Sequence, residues 1–309
     1  MTATDTTPVL VIGATGRVGR EVVSQLCDAR CPVRALTRKS APAGFPPEVE
    51  CVLGDLTVPT SLEPALAGVR AVFLVWTAAF ATAPAVIARL ARSVERIVLL
   101  SSPHQTPHPF FQQPNPLAAQ HALLERLVRE TGLDVTIVRP GMFAANAIAW
   151  WASQIRASDV VRWPYAALET APIDERDIAA VAVRALLDDG HVGADCVVTG
   201  PAALSYAEQV RVIGGAVGRP LQLHELSPEA FRRETAGVWP AAVVEMLLGA
   251  WGAAVGVPAY VTSTVAEVTG RPARPFSEWA DTHASAFGRT DTPIPGSGEG
   301  TGAGTRIGF

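Results

Sequence analysis

Lysine is nearly absent from this chain. Lys39 is the only lysine among 309 residues, so no other position offers a catalytic lysine. Charged residues make up only 17% of the chain, the net charge is −4, and no basic block or interleaving of basic and aromatic residues occurs. Because nucleic-acid binding leaves a basic footprint, we expect no nucleic-acid partner. The 49% hydrophobic content is enough for a sizeable core.

Cysteines, clustered metal ligands and long apolar runs are also scarce. The four cysteines fit neither a disulfide framework nor a zinc spacing, and the histidines are scattered. We therefore predict no metal site and a reducing, cytoplasmic location. The N-terminal residues do not have the pattern of a signal peptide. The most apolar stretch, residues 246–261, is shorter than a bilayer span and contains glycine and proline, so we expect no membrane contact.

Glycines, by contrast, follow a clear pattern near the N-terminus. The segment 9–19 reads VLVIGATGRVG, an apolar run that ends in three spaced glycines and is followed by helix-like sequence. A strand, a tight turn and a helix start in this order hold a dinucleotide pyrophosphate, because the helix N-terminus offers unpaired N–H groups. We predict a cofactor loop here, with an ordinary glycine turn as the alternative. The predicted contacts in the loop are Gly13, Thr15, Gly16, Arg17, Val18 and Gly19.

Strand-like and helix-like segments alternate through the first half of the chain. Strands are predicted at 9–12, 33–37, 50–53, 71–75, 96–100 and 135–139, with helices at 20–29, 60–67, 81–93 and 116–131. This alternation indicates βαβ units and therefore an α/β fold, a Rossmann-type doubly wound parallel sheet. Ligands of such sheets bind beyond the carboxyl ends of the strands, so the residues that follow each strand are the candidates for the site.

The alternation weakens after about residue 144. We assign residues 1–150 to a cofactor-binding domain, 151–287 to a smaller, mainly helical substrate lobe with a further strand at 194–199, and 288–309 to a flexible tail rich in Gly, Thr, Ser and Pro. Helices in the lobe are predicted at 178–187, 205–217, 228–235 and 241–250. Four aromatic residues are expected between elements: Trp150, Trp151, Trp163 and Tyr165.

The second predicted strand ends in LTRKS, at residues 36–40. In NAD-binding domains an acidic residue about 20 positions past the glycines binds the ribose 2′-hydroxyl. Arg38 and Lys39 stand there instead, and a guanidinium pairs with a 2′-phosphate that a carboxylate would repel. The sequence therefore predicts NADP(H) rather than NAD(H), with ordinary surface charges as the alternative. Arg17 either contacts the same phosphate or faces water.

Two further strand ends supply candidate contacts for the nucleotide. Asp55 and Leu56, after the third strand, are expected to border the adenine. Asp55 either accepts a hydrogen bond from the adenine amino group or caps the helix near residue 60. After the fourth strand, Val75, Trp76 and Thr77 are expected along the nicotinamide ribose.

Several segments together resemble one family. GATGRVG at 13–19, LTRKS at 36–40, GDL at 54–56, SSP at 101–103 and TIVRPGMFAAN at 136–146 are similar to the NmrA-like branch of the atypical short-chain dehydrogenases/reductases. The resemblance implies a Rossmann domain, bound NADP(H) and a substrate cleft between two lobes. Activities known in this branch are the reduction of quinones, dyes and activated double bonds, and redox sensing without turnover.

The resemblance also assigns residues of the cleft. It implies that Pro140, Gly141, Met142 and Phe143 frame the nicotinamide carboxamide, and that Asn146 begins the substrate side. After the fifth strand, one of Ser101 and Ser102 is expected to bind the nicotinamide ribose or a substrate oxygen, and His104 to contact substrate. The alternatives are serines that only satisfy the strand end and a solvated histidine.

The chain departs from the family at the catalytic position. Classical members use a Tyr-x-x-x-Lys pair, in which the phenol donates a proton to the substrate. None of the three tyrosines of this chain has a lysine four residues later. Some reductases of the branch carry a lysine on the helix before the DVTIVRP strand, and His121 occupies that place here. His121 is predicted to donate to a ribose hydroxyl or to protonate the substrate, with a plain polar helix residue as the alternative.

We therefore predict an NADPH-dependent reductase of a small apolar or aromatic, electron-poor acceptor: a quinone, an enone or another conjugated carbonyl. Such acceptors delocalise the developing charge, which fits the missing Tyr/Lys pair. Phe80, Trp150 and Trp151 are predicted to line its pocket, unless they are core residues. The alternatives are a non-catalytic NADP(H) sensor that binds a protein partner, and an isomerase or cyclase that retains the nucleotide. The predicted partner is a small molecule, and a homodimer is left open.

Overall fold

The structure is a computed structural model that describes residues 7–39 and 44–288. Its strands are β1 (Val9–Ile12), β2 (Val33–Thr37), β3 (Glu50–Leu53), β4 (Ala71–Val75), β5 (Arg96–Leu100), β6 (Asp134–Pro140), β7 (Val160–Pro164), β8 (Glu169–Thr170), β9 (Asp195–Val198), β10 (Leu204–Ser205) and β11 (Gln222–Leu226). Its α-helices are α1 (Arg17–Asp28), α2 (Glu63–Leu66), α3 (Ala83–Ser93), α4 (Pro116–Arg129), α5 (Asn146–Ala157), α6 (Glu175–Leu187), α7 (Tyr206–Ala216), α8 (Pro228–Thr235), α9 (Ala241–Ala254), α10 (Thr264–Thr269), α11 (Phe276–Thr282) and α12 (Ala284–Phe287). Short 3-10 helices lie at Pro59–Leu62, Phe80–Thr82 and Asp189–His191.

Seven of the strands form one parallel sheet in the order β3-β2-β1-β4-β5-β6-β9. The predicted fold class is confirmed, and the first five strands have the predicted bounds. The chain runs from β1 to β2 and β3 on one side, and then crosses back to β4 on the other side of β1. Ile12 pairs with Leu36 on one side and with Leu74 on the other, so the three strands end side by side. The glycine turn after β1 therefore opens where ligands of doubly wound sheets bind.

Helices cover both faces of this sheet, because its strands are apolar on both sides. In β1, Val9 and Val11 belong to one core with α1 and α6, whereas Leu10 and Ile12 belong to a second core with α3 and α4. This alternation is the side-chain period of a strand. Through α6 and β9 the chain returns to the sheet layer after its first passage into the second lobe.

The second lobe has a core of its own, built around aromatic rings. Trp150 is 4% exposed, and its ring centroid lies 5.4 Å from that of Trp163 and 5.6 Å from that of Trp251. The prediction that Trp150, Trp151 and Trp163 lie between elements is wrong, since the first two are in α5 and the third is in β7. Apolar residues at 147, 150, 151 and 155 carry a helical period that the adjacent tryptophans obscured.

Two further observations concern the described residues alone. None of their helices combines the length and the apolar content needed to cross a bilayer. No three of their His, Cys, Asp or Glu side chains lie close enough together to hold a metal ion. The predicted flexible tail, apart from Gly288, lies outside the described residues.

Candidate active site

The turn after β1 leaves no room for side chains at two of its glycines. Gly13 has φ +88°, and a Cβ there would lie 2.7 Å from the Cβ of Val75. A Cβ on Gly19 would lie 2.1 Å from the carbonyl oxygen of Gly13, so α1 begins in direct contact with the turn. The Gly16 N–H donates to the Gly13 carbonyl over 2.9 Å. This backbone arrangement directs the N-terminus of α1 toward the space beyond β1, where an anion is favoured.

A cavity of about 300 Å³ extends from this turn across the ends of β2 and β3, and we call it the β2-side cavity. Arg38 lies on its wall and is exposed, so its guanidinium is available to an anion. Lys39 is exposed beside it and is not part of the wall; its carbonyl accepts a hydrogen bond of 2.8 Å from the Thr37 hydroxyl. The other predicted contacts on this wall are Gly13, Thr15, Gly16, Asp55, Leu56, Val75 and Thr77.

The carboxylate of Asp55, on this wall, already accepts hydrogen bonds from within the protein. Its Oδ1 accepts hydrogen bonds from the backbone N–H and from the hydroxyl of Thr57, each over 2.8 Å. These bonds hold the pKa of Asp55 below its usual value, and Arg38 acts in the same direction. The carboxylate thus closes the turn that follows β3 and keeps its charge near Arg38.

A second cavity, of about 390 Å³, continues from the glycine turn toward β5, and we call it the β5-side cavity. Gly13, Gly16, Val75 and Thr77 line both cavities, so the two spaces meet at the turn. This path fits a dinucleotide whose pyrophosphate crosses the turn and whose two halves lie on either side. The further predicted contacts on the β5-side wall are Arg17, Val18, Gly19, Trp76, Ser101, His121 and Phe143.

Arg17, the first residue of α1, connects the glycine turn to the second lobe. Its Nη1 donates to the carbonyl of Ala145 over 3.1 Å, immediately before α5. Arg17 lies on the β5-side wall, whereas Arg38 lies on the β2-side wall. The alternative in which both arginines contact the same phosphate is therefore not supported by their positions.

A third space, which we call the apolar pocket, lies between the strand ends and the second lobe. It has a volume of about 80 Å³. Leu247 and Ala250 of α9 close one side, and Phe110 and Phe111 from the loop after β5 close another. Residues with polar side chains reach its wall at five positions: Ser102, His104, Gln113, Asn115 and Asn146.

The apolar pocket and the β5-side cavity share a wall that is one residue thick. Ser101 faces the β5-side cavity, and the next residue, Ser102, faces the apolar pocket. Likewise, Leu117 faces the β5-side cavity and Ala118 faces the apolar pocket. The end of β6 and the turn after it are divided in the same manner. Phe143 faces the β5-side cavity, whereas Pro140, Gly141 and Met142 face the apolar pocket. Ligands in the two spaces would therefore be neighbours.

A buried carboxylate, Glu125 on α4, underlies this wall. Glu125 is 3% exposed, and Arg139 of β6 donates two hydrogen bonds to it, over 2.9 and 2.5 Å. The Ser101 hydroxyl donates to the same carboxylate over 2.5 Å. Because its only hydrogen is used there, Ser101 can only accept hydrogen bonds from a ligand in the β5-side cavity. Glu125 and Arg139 were not among the residues predicted for the site, although Glu125 stands one helical turn after His121.

Two histidines beside this carboxylate each have a ring nitrogen without a partner. Nδ1 of His104 lies 3.0 Å from the Ser102 carbonyl oxygen and 4.0 Å from Glu125 Oε1. Its Nε2 is buried and has no hydrogen-bond partner in the described part of the chain, and the same is true of Nδ1 of His121. Burial lowers the pKa of His121 and so does the nearby His104, whereas Glu125 opposes them. His121 is therefore mainly uncharged at neutral pH.

Asn146, the first residue of α5, is a buried polar group on the wall of the apolar pocket. It is 2% exposed, and its Nδ2 lies 3.1 Å from the sulfur of Met142. Within residues 7–39 and 44–288 its Oδ1 has no hydrogen-bond partner. A buried amide oxygen without a partner is costly, so this atom is well placed to receive a ligand donor.

The three aromatic residues predicted to contact substrate do not line the apolar pocket. α5 places Asn146 at the pocket but Trp150 and Trp151, one turn later, in the aromatic core of the second lobe. Phe80 is half-buried and packs beside the core formed by α3 and β4. The predictions for Trp150 and Trp151 are corrected because a large ring gains more free energy from burial in a core than from a place on an open pocket wall. The prediction for Phe80 is corrected because its side chain packs on the sheet layer, away from the pocket wall.

Comparisons with known proteins agree with this geometry. Residues 13–189 match a family described as NAD(P)H-binding. The chain is 38% identical to (4-alkanoyl-5-oxo-2,5-dihydrofuran-3-yl)methyl phosphate reductase of Streptomyces griseus over 293 residues. This alignment covers 90% of this chain and 99% of that protein. It is 35% identical over 290 residues to NAD(P)H azoreductase of Xenophilus azovorans, with coverages of 91% and 99%.

A solved structure has the same fold. The triphenylmethane reductase of Citrobacter sp. in complex with NADP(H) superimposes with a TM-score of 0.74 at 18% identity, over 90% of this chain and 99% of that one. The chain therefore belongs to the NAD(P)H-binding family and is an NAD(P)H-dependent oxidoreductase.

Proposed function

We propose that the protein catalyses NADPH-dependent reduction of a small apolar compound whose double bond is conjugated with a carbonyl group, of the enone or quinone type. The observation that carries the proposal is the one-residue wall between the β5-side cavity and the apolar pocket. A nicotinamide in the first space lies next to an acceptor in the second. The pocket is largely apolar, which favours a hydrophobic acceptor with few polar groups.

The cofactor is held by residues of both cavities. When bound, NADPH supplies the hydride that reduces the acceptor. Arg38 pairs with the 2′-phosphate, which favours NADP(H) over NAD(H). The α1 N-terminus receives the pyrophosphate. Ser101, whose hydrogen is held by Glu125, accepts a hydrogen bond from a ribose hydroxyl, and His121 lies on the same wall.

The polar end of the apolar pocket orients the acceptor and supplies the proton. Ser102 donates to the carbonyl oxygen of the acceptor, and Asn146 fixes the position of the substrate. Protonated His104 delivers the proton from Nε2 into the pocket, while its Nδ1–H stays on the Ser102 carbonyl and Glu125 lies behind it. One hydride and one proton thus add across the double bond, and His104 regains its proton from solvent.

The relatives support a conjugated acceptor. The compound named for the S. griseus relative is the methyl phosphate of a 5-oxo-2,5-dihydrofuran with an alkanoyl substituent, and in it a ring double bond is conjugated with carbonyl groups. The X. azovorans relative is named for azo compounds, another class of electron-poor acceptor. An acceptor of this kind spreads the developing charge, which reduces the need for the Tyr/Lys pair that this chain lacks.

NADPH consumption with a matched acceptor panel tests the proposal. A linear enone, a benzoquinone and the saturated ketone of the same carbon skeleton are compared at equal concentration, and products are identified by mass spectrometry. We expect NADPH oxidation with the enone and the quinone, little with the saturated ketone, and a saturated ketone as the product of the enone.

Other results would favour the alternatives. Tight NADPH binding by calorimetry without oxidation by any acceptor contradicts the proposal and favours a redox sensor. Conversion of an acceptor to an isomer with no net NADPH consumption favours an isomerase or cyclase.

A further inference from the structure

A small side chamber adjoins the apolar pocket on the side away from the β5-side cavity. It has a volume of about 20 Å³, against about 80 Å³ for the pocket. Phe110, Phe111, Gly141 and Met142 line both spaces, so they form the partition between them. The chamber is closed on its far side by residues around β8 and by Tyr260.

The partition is made mainly of side chains that can turn. The rings of Phe110 and Phe111 meet edge to face with centroids 5.1 Å apart, and a Cβ placed on Gly141 would lie 3.9 Å from Cζ of Phe111. The absence of a side chain at Gly141 thus leaves a gap beside the Phe111 ring. A rotation of this ring to another rotamer would join the two spaces.

The inner wall of the chamber offers few polar atoms to a ligand. His108 uses both ring nitrogens, since Nε2 lies 3.1 Å from the Pro258 carbonyl oxygen and Nδ1 accepts from the Phe110 N–H. The Thr199 hydroxyl donates to the Gly200 carbonyl and accepts from the Thr262 N–H. The Thr170 hydroxyl accepts a hydrogen bond from Gln209 Nε2 over 2.8 Å, and Ala171 and Ala259 are apolar parts of the wall. An occupant is therefore apolar where it contacts these residues.

The size of the chamber limits the shape of the occupant. A volume of about 20 Å³ is little more than a single water needs, so an aromatic ring does not fit, whereas the end of a linear chain can enter in single file. Glu169 is exposed at the rim, and its carboxylate disfavours an anionic chain end.

From these observations we propose that the side chamber binds an uncharged linear alkyl chain of the acceptor, with Phe111 as the residue that admits it. The inference rests on the proposed function, because the reactive end of the same molecule occupies the apolar pocket. It narrows the substrate class to conjugated carbonyl compounds that carry an aliphatic tail.

The test is a homologous series of (E)-3-alken-2-ones that differ only in the length of the alkyl chain. We expect kcat/KM to rise about fourfold for each methylene that becomes buried, and to level off once the chamber is filled. A parent enzyme whose kcat/KM does not depend on chain length overturns the inference.

Two variants with the same substitution separate the chamber from the pocket. Ala259→Leu fills the side chamber, and we expect it to abolish the dependence on chain length while the shortest enone keeps its kcat/KM within about twofold. Ala250→Leu fills the apolar pocket, and we expect it to lower kcat/KM for every member alike. An unchanged chain-length dependence in Ala259→Leu, with a thermal unfolding midpoint equal to that of the parent, overturns the assignment.

Binding measurements keep this inference separate from the proposed function. Saturated 2-alkanones of increasing length are titrated by calorimetry into the NADP⁺-loaded protein. If no enone is reduced but Kd still falls about fourfold per methylene and Ala259→Leu removes the trend, the chamber is supported and the reductase proposal is wrong. If enones are reduced but neither kcat/KM nor Kd depends on chain length, the reductase stands and the chamber assignment is wrong.

Discussion

The β2-side and β5-side cavities are walled mainly at the ends of neighbouring strands, whereas the apolar pocket is walled by side chains from both lobes. On the cofactor side, Gly13 and Gly19 admit no Cβ, so the backbone itself defines the space. On the substrate side, Leu247 comes from α9, Phe111 from the loop after β5 and Met142 from the turn after β6. The first surface tolerates little substitution, while the second can be reshaped one side chain at a time. A fold of this kind keeps its cofactor while its substrate changes.

The largest expected effect is on the chemical step, and it should change the substrate side without changing cofactor binding. His104→Gln removes the proposed proton donor from the apolar pocket, and we expect kcat for an enone to fall by about 10²- to 10⁴-fold. The Kd for NADPH should stay unchanged by calorimetry, because His104 does not line either cofactor cavity. His224→Gln, at an exposed position in β11, is the matched control. Equal kcat values for His104→Gln and the control would remove His104 from the mechanism.

A substitution of Glu125, which lies under the wall shared by the β5-side cavity and the apolar pocket, should destabilise the folded protein. Glu125→Ala removes one of the two carboxylates paired with buried Arg139, whose Nη1 keeps its contact of 2.9 Å to Asp195 Oδ2, and we expect the free energy of unfolding to fall by about 3 kcal/mol. Glu50→Ala, which breaks the exposed pair with Arg34, should cost about 0–1 kcal/mol. Urea unfolding curves of the two variants provide the measurement. If both lose the same free energy, the Ser101–Glu125–Arg139 cluster is not a stabilising element.

The next prediction concerns only the cofactor side. Arg38→Ala should weaken NADPH binding by about 1.5–3 kcal/mol, or about ten- to a hundredfold in Kd, because a charge-assisted contact to the 2′-phosphate is lost. Binding of NADH and KM for the acceptor should not change. Lys39→Ala serves as a control, since Lys39 lies beside the cavity without lining it. Equal losses for NADPH and NADH would show that Arg38 does not select the nucleotide.

The smallest expected effect is a pH dependence of stability at the β5-side wall. The pKa of His121 is lower in the folded protein than in the unfolded chain, mainly because of burial, so the unfolded chain binds more protons. Its contribution is favourable above the unfolded pKa of about 6.5 and is lost as the pH falls through that value toward the folded pKa. His121→Asn should therefore lose less stability than the parent between about pH 7 and about pH 5, in urea unfolding followed by tryptophan fluorescence. An identical pH dependence in both proteins would contradict this.

The sequence was most informative where local rules decide the structure. The glycine spacing and the β-rich runs correctly predicted the turn between β1 and α1 and the bounds of the first five strands, because these depend on neighbouring residues. The pocket depends on contacts between distant segments, and no local pattern placed Leu247 of α9 in the same pocket wall as Ser102. The cluster around Glu125 was missed for the same reason, since Arg139 follows it by 14 positions and lies on another element. Trp150 and Trp151 were misplaced because aromatic content does not distinguish a core from a pocket.

Lys39 gives the protein a chemical handle. It carries the only side-chain amine in the sequence, it is exposed, and its neighbour Arg38 lines the β2-side cavity. An amine-directed fluorophore would therefore attach to one side chain, beside the cavity that we propose for the adenosine half of the nucleotide. Slower labelling in the presence of NADPH would report occupancy directly, without any acceptor or turnover.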